Sequence, residues 1–193
     1  ERRTANLYQM SQEFSNSSSV TELGQIATRH IDDLFESQSI IALPVNGELQ
    51  THGSEQAYAK LTQQEQAVMR WVYDRGQIAG WGTQTLPASA GLYLPLRTSQ
   101  RIGGVLGLYP NQPSRMLSPD QLHLLETFAN QTALAIERAQ LADETERAQV
   151  QIETERMRRA QIRFDGGEMF RRIFLFGVFG RADKAIFLVH KGD

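Results

Sequence analysis

The chain has 193 residues, 40% of them hydrophobic and 22% charged, an ordinary globular composition with room for one domain and an appendage. With 20 Lys and Arg against 22 Asp and Glu the formal net charge is −2, which leaves no basic excess for neutralising nucleic-acid phosphates. The chain has no cysteine, which excludes disulfides, thiolate nucleophiles, Cys-ligated zinc and thioether-linked chromophores. No apolar run approaches the roughly 20 residues that cross a bilayer.

From the N-terminus, Leu7, Met10 and Phe14 recur at helical spacing and predict a helix over 3–14 with one narrow apolar stripe that needs a partner. The serine cluster 15–19 leads into Ser19-Val20-Thr21-Glu22, a capping-box pattern, and a second helix to about Phe35 that buries Leu23, Ala27, Ile31 and Leu34. Asn46-Gly47 tolerates the positive φ of a tight hairpin, so 39–44 and 48–52 are read as antiparallel strands. Thr62-Gln63-Gln64-Glu65 is a second capping box. It starts a helix that presents Val68, Trp71 and Val72 on one face and stops at Gly76.

Residues 77–91 hold Gly80, Gly82, Pro87 and Gly91 and show no sustained period, so they read as a long connection. Leu92, Leu94 and Leu96 then alternate with Tyr93, Pro95 and Arg97, and a second run over 102–109 completes a hairpin. Gly103 and Gly107 share a face with Val105 and Tyr109, which leaves space there.

Ser118-Pro119-Asp120-Gln121 caps a final helix with no proline or glycine before Gly166. Leu122, Ala129, Ile136, Val150 and Met157 keep one seven-residue register, interrupted by Asp143, with Leu125, Thr132 and Ala139 as a companion seam. A helix of more than about 40 residues is about 60 Å long, so it is expected to leave the globular body and pair with another helix. The last segment carries two apolar bursts, 173–179 and 185–189, which suggest a hairpin around 181–184.

The element order describes an α+β domain, an antiparallel sheet with helices at its faces. The residues of 3–11, Trp71-Val72-Tyr73-Asp74-Arg75-Gly76, Ala79-Gly80, Gly82-Thr83-Gln84-Thr85-Leu86-Pro87, Leu94-Pro95-Leu96, Leu124-Leu125-Glu126-Thr127-Phe128 and Ala135-Ile136-Glu137-Arg138 together resemble the GAF domain of KdpD-type sensor histidine kinases. The resemblance runs over about 1–158. It implies a GAF-like central antiparallel sheet flanked by helices, with a long C-terminal signalling helix. On that basis 1–17 is a linker helix, 18–140 the GAF-like sensor domain and 141–160 a helical linker toward a missing phosphoacceptor domain. Residues 161–193 are then an atypical tail that reads as artificially added.

The resemblance further implies a cytoplasmic domain of an inner-membrane bacterial kinase in potassium and osmotic signalling. Its partners would be a second copy of the chain, joined through the terminal helices, the kinase domain and the response regulator KdpE. The family's phosphoacceptor box and ATP-binding domain are not found in this sequence, so this fragment is expected not to be an enzyme. No metal or cofactor is implied.

Read from the residues themselves, Gly80, Trp81, Gly82, Thr83 and Thr85, with Arg97 and Tyr109, are the candidate ligand-binding set: glycine amides and hydroxyls as donors, an indole for stacking, a guanidinium for an anion. The alternative is a loop packed permanently on the sheet. His52 without a second ligand at metal spacing is poor evidence for a metal or haem, and Asp74-Arg75 fits a helix end better than catalysis. Three functions stay open: a relay acting through dimerising helices, a small-molecule sensor with a pocket under Gly80–Pro87, and direct sensing of potassium by carbonyl oxygens of the glycine-rich loop.

Overall fold

A computed structural model describes residues 2–114 and 116–186. In chain order the elements are α1 (Arg2–Asn16), α2 (Val20–Phe35), β1 (Ser37–Val45), β2 (Glu48–Gly53), α3 (Glu55–Lys60), α4 (Gln63–Arg75), β3 (Ala79–Gly80), β4 (Leu92–Arg97), β5 (Ile102–Pro110) and α5 (Pro119–Ile186). The strands form one antiparallel sheet in the order β2–β1–β5–β4–β3.

Local chemistry accounts for most boundaries. Asn46 and Gly47 both take positive φ, 52° and 86°, and pair Val45 with Glu48 across the first hairpin. Gly76, at φ 63°, ends α4 by donating its amide to the Val72 carbonyl at 2.8 Å. Ser118 and Gln121 form the reciprocal box: the Gln121 amide donates to Ser118 Oγ at 3.2 Å and the Ser118 amide to Gln121 Oε1 at 2.9 Å. The box expected at Ser19 does not form. Its hydroxyl makes no capping bond, and the Glu22 carboxylate instead accepts from Ser17 Oγ at 2.6 Å. Two elements were not foreseen. The six-residue α3 is capped by Ser54, which accepts from the Ala57 amide, and β3 is a two-residue pairing of Ala79 and Gly80 with Tyr93 and Leu92.

The period-2 alternation of β4 divides the core. Leu92, Leu94 and Leu96 join Ile41, Leu43, Leu106 and Leu108 on the side covered by α1, α2 and α5. Tyr93 joins Ile40, Ala42, Val105 and Tyr109 on the side covered by α3 and α4. From α5, Leu125, Phe128, Ala129, Thr132, Ala133, Ala135, Ile136 and Ala139 are buried, so the first half of its seven-residue register is spent on the sheet. Ser99, at the tip of the β4–β5 hairpin, donates its hydroxyl to Glu137 at 3.1 Å and ties the hairpin to that helix.

The chain divides into two units, 1–142 and 143–193. In the second, Asp143 and Arg147 pair at 2.6 Å, and Val150, Ile152 and Met157 are exposed. The expected hairpin around 181–184 is not formed, because 173–179 is helical as part of α5. No proline follows Pro119 in the chain, and a helical glycine costs only about 1 kcal/mol relative to alanine, so nothing in this stretch forces a break. The second burst, 185–189, lies largely outside the described residues.

At the end of α2, Asp32 is half-buried beside Ser37 and Ser39, and its Oδ1 finds no hydrogen-bond partner. Burial, with repulsion from Asp33, pushes its carboxyl up to about 6, against a smaller lowering by the polar groups of the neighbouring Ser39. A folded-state value above the ordinary 3.8 means that the native chain binds the extra proton, so stability falls as pH rises from about 4 to about 6. Asp32→Asn is expected to remove that slope and to raise stability at pH 7 by about 1–2 kcal/mol, after allowance for solvent screening. Urea melts of both chains at pH 4.0 and pH 7.0 check this, and an unchanged slope in the variant contradicts it.

Candidate functional site

The candidate site lies where 77–91 crosses the α4 side of the sheet. The residues singled out from sequence do not converge on one space. Gly80 to Thr85 closes on itself: the Gly80 amide donates to the Thr85 carbonyl at 2.8 Å and the Thr83 amide to the Gly80 carbonyl at 3.1 Å. Thr83 Oγ1 lies 2.7 and 2.8 Å from the Gly80 and Thr85 carbonyls and accepts from the Thr85 amide at 3.2 Å. Gly82 sits at φ 74° with open space around it.

Trp81 belongs to the other side of the sheet. Its indole N–H donates to the Pro113 carbonyl at 3.2 Å, and its ring walls a cleft of about 210 Å³ with Leu34, Phe35, Leu108 and Leu117. The Arg97 guanidinium donates to the Gly76 carbonyl and borders a second cleft of about 230 Å³ beside Ile78, Leu94 and Glu126. Only Tyr109 faces the space beneath the segment, and it is not alone there.

That space holds a polar network which the sequence reading missed. Glu65, 4% exposed, points inward from the first turn of α4. Its Oε1 accepts from the Ala90 amide at 2.9 Å. Its Oε2 accepts from Ser89 Oγ at 2.7 Å, from the Gly91 amide at 3.2 Å and from the Tyr93 hydroxyl at 2.6 Å. The Tyr93 hydroxyl, its proton committed to Glu65, accepts in turn from Tyr109 at 2.8 Å, and the two rings meet edge to face. Lys60 lies 5.8 Å over the Tyr109 ring. Glycines make the room: a Cβ on Gly107 would come within 2.7 Å of the Tyr93 ring, and one on Gly91 within 2.8 Å of Tyr109. The space expected from Gly107 exists, and Tyr93 fills it.

Burial alone would raise the Glu65 carboxyl. The bonds from Tyr93, Ser89, Ala90 and Gly91 outweigh burial and hold it below its ordinary 4.5. Burial pushes Tyr109 up to about 12, and burial with the Glu65 bond drives Tyr93 far above the ordinary tyrosine value, so both phenols keep their protons. One signal for this site was present in the sequence. Glu65 stands three, four and seven residues before Val68, Met69 and Val72, on the apolar face of α4 rather than only at its cap.

Comparison with known proteins gives the following. The sequence profile of the GAF domain family matches residues 19–138. The sensor protein KdpD of Escherichia coli K12 is 33% identical over 142 residues, which cover 73% of this chain and 16% of that protein. The sensor protein KdpD of Clostridium acetobutylicum is 28% identical over 171 residues, 84% of this chain and 19% of that protein. The chain therefore spans less than a fifth of the length of these relatives. The crystal structure of the native GAF domain of the potassium sensor histidine kinase KdpD from E. coli superposes with a TM-score of 0.64 at 29% identity, covering 74% of this chain and 98% of that one.

Proposed function

Because the chain belongs to the GAF domain family, we propose that it is the regulatory module of a membrane-anchored KdpD-type sensor histidine kinase in potassium and osmotic signalling. It passes its input on through dimerising terminal helices. In the parent the module lies on the cytoplasmic side of the inner membrane and acts on a kinase domain whose phosphoryl group goes to KdpE. Among the described residues no helix is long and apolar enough to cross a membrane.

The observation that carries this reading is the double duty of α5. Eight of its residues from Leu125 to Ala139 are buried in the GAF unit, and the same helix continues through Asp143 without interruption. A shift in the sheet is thereby a shift in the helix, and a helix pair with discrete packed registers converts a bias of a few kcal/mol into an output. Exposed Val150 and Met157 supply apolar surface for the partner helix, and Asp143, paired to Arg147, marks the polar interruption of that seam.

The rival reading, a small-molecule pocket beneath Gly80–Pro87, has less support. The Gly80 and Thr85 amides and the Thr83 hydroxyl and amide are spent within the segment, the Trp81 indole N–H goes to Pro113, and Glu65, Tyr93 and Tyr109 occupy the space below. The clefts beside Trp81 and Arg97, about 210 and 230 Å³, are smaller than the ~300 Å³ at which ligand pockets usually begin.

Insertions after Ala142 in a full-length kinase carrying this domain test the relay. Two added residues rotate everything beyond by about 200°, whereas seven restore the face to within about 20°. Phosphorylation from labelled ATP is expected to lose its response to potassium with two residues and to keep it with seven. Equal responses from both insertions overturn the relay.

A further inference from the structure

Glu65 is a buried carboxylate whose charge no cation meets. Among the described residues no Lys, Arg or His forms an ion pair with it, and its four partners are neutral donors: two backbone amides and two hydroxyls. This is how proteins hold a bound anion, with preset dipoles from a turn and hydroxyls aimed at one point. Three of the donors belong to consecutive residues, Ser89, Ala90 and Gly91, and the fourth comes from Tyr93 on the next strand.

We infer that Ser89, Ala90, Gly91 and Tyr93 form a carboxylate-binding cradle, closed in this structure by the chain's own Glu65 acting as a tethered internal ligand. The class of free ligand it takes is a small monocarboxylate. While Glu65 stays in place it keeps the cradle filled and fastens 89–91 down onto α4. The inference concerns this unit alone and does not depend on what the parent protein phosphorylates.

The atoms set the size of the ligand. Beyond Cβ, a glutamate side chain is a methylene and a carboxylate, which are the heavy atoms of acetate. Glu65→Ala keeps Cβ and removes that group, so the vacated volume matches acetate, is loosely filled by formate and is overfilled by propionate against the new alanine methyl. The walls are fixed: Gly91 packs on the Tyr93 and Tyr109 rings and Gly107 backs Tyr93.

The test is thermal unfolding of the 193-residue chain and of E65A at pH 7 and constant ionic strength, in sodium chloride, acetate, formate or propionate. The Tm of E65A is expected to rise saturably with acetate, less with formate and not with propionate or chloride, while the parent chain is indifferent to all four. A Tm of E65A that acetate lifts no more than chloride does, or an equal lift in the parent, overturns the cradle.

Should E65A fold in none of these salts, Glu65→Gln decides. A carboxamide that turns its oxygen to the three donors on the Oε2 side must face the Ala90 amide with its own NH2. Hydrogen exchange at Ala90 is then expected to quicken about tenfold relative to Val72, the cost of one lost bond of about 1.4 kcal/mol. Unchanged exchange at Ala90 overturns the inference.

Discussion

Gly80→Ala is expected to cost at least about 3 kcal/mol, whereas Gly82→Ala, two residues on, costs about 1 kcal/mol. Both glycines take positive φ, 104° and 74°, so both substitutions strain the backbone. Only at Gly80 does the new methyl have nowhere to go: its Cβ would stand 2.1 Å from the Gly91 carbonyl oxygen, which is main chain and cannot rotate aside. The same oxygen accepts from the Trp81 amide at 2.8 Å, and Gly80 pairs with Leu92, so relief requires unpairing β3 from β4. That movement also drags Gly91 away from Glu65 and exposes part of the network. Urea denaturation of the two variants side by side checks the contrast. Equal losses show that φ strain alone governs the segment and that β3 is not held against residue 91.

Much of the fold was legible because single residues had a single use. Asn46-Gly47 had to turn, Gly76 had to stop a helix, and Ser118 with Gln121 had one obvious pairing, all of which appear in the structure. The alternation of Leu92, Leu94 and Leu96 with Tyr93 gave the two faces of the sheet without knowledge of what covered them.

The misses share a cause: a residue had two chemically sound options, and a contact distant in sequence decided between them. Glu65 at the third position of a helix is a reasonable cap partner for Thr62. Thr62 does accept from the Glu65 amide at 3.3 Å, yet the carboxylate turns inward to donors 24 to 28 residues away. The Gly107 gap was visible, but nothing local says that Tyr93 rather than a ligand fills it. Trp81, between two glycines, fits either face equally until the Pro113 carbonyl captures its indole. Short elements such as α3 and β3 carry too few residues for a period to register at all.

The second large effect is expected at Phe128, where truncation to alanine costs about 3–5 kcal/mol. The ring is fully buried in the core shared by α2, the sheet and α5, and it meets Phe35 edge to face at 6.3 Å and 84°. Phe35 is only partly buried, so Phe35→Ala is expected to cost less, and the double variant to fall short of the sum by about 0.5–1.5 kcal/mol, the worth of the ring pair. Denaturant unfolding of the four chains measures that cycle, and strict additivity excludes a coupling between the rings. The functional consequence separates stability from transmission. Phe128 has no polar role and no place in the Glu65 network, so its loss leaves the cradle intact while loosening the grip of the sheet on α5. In a full-length kinase kept below its melting temperature, Phe128→Ala is then expected to leave basal phosphorylation in place and to reduce its response to potassium. A full response from a kinase whose GAF unit has lost several kcal/mol at this ring shows that the signal reaches the kinase by a route other than the packing of α5 on the sheet.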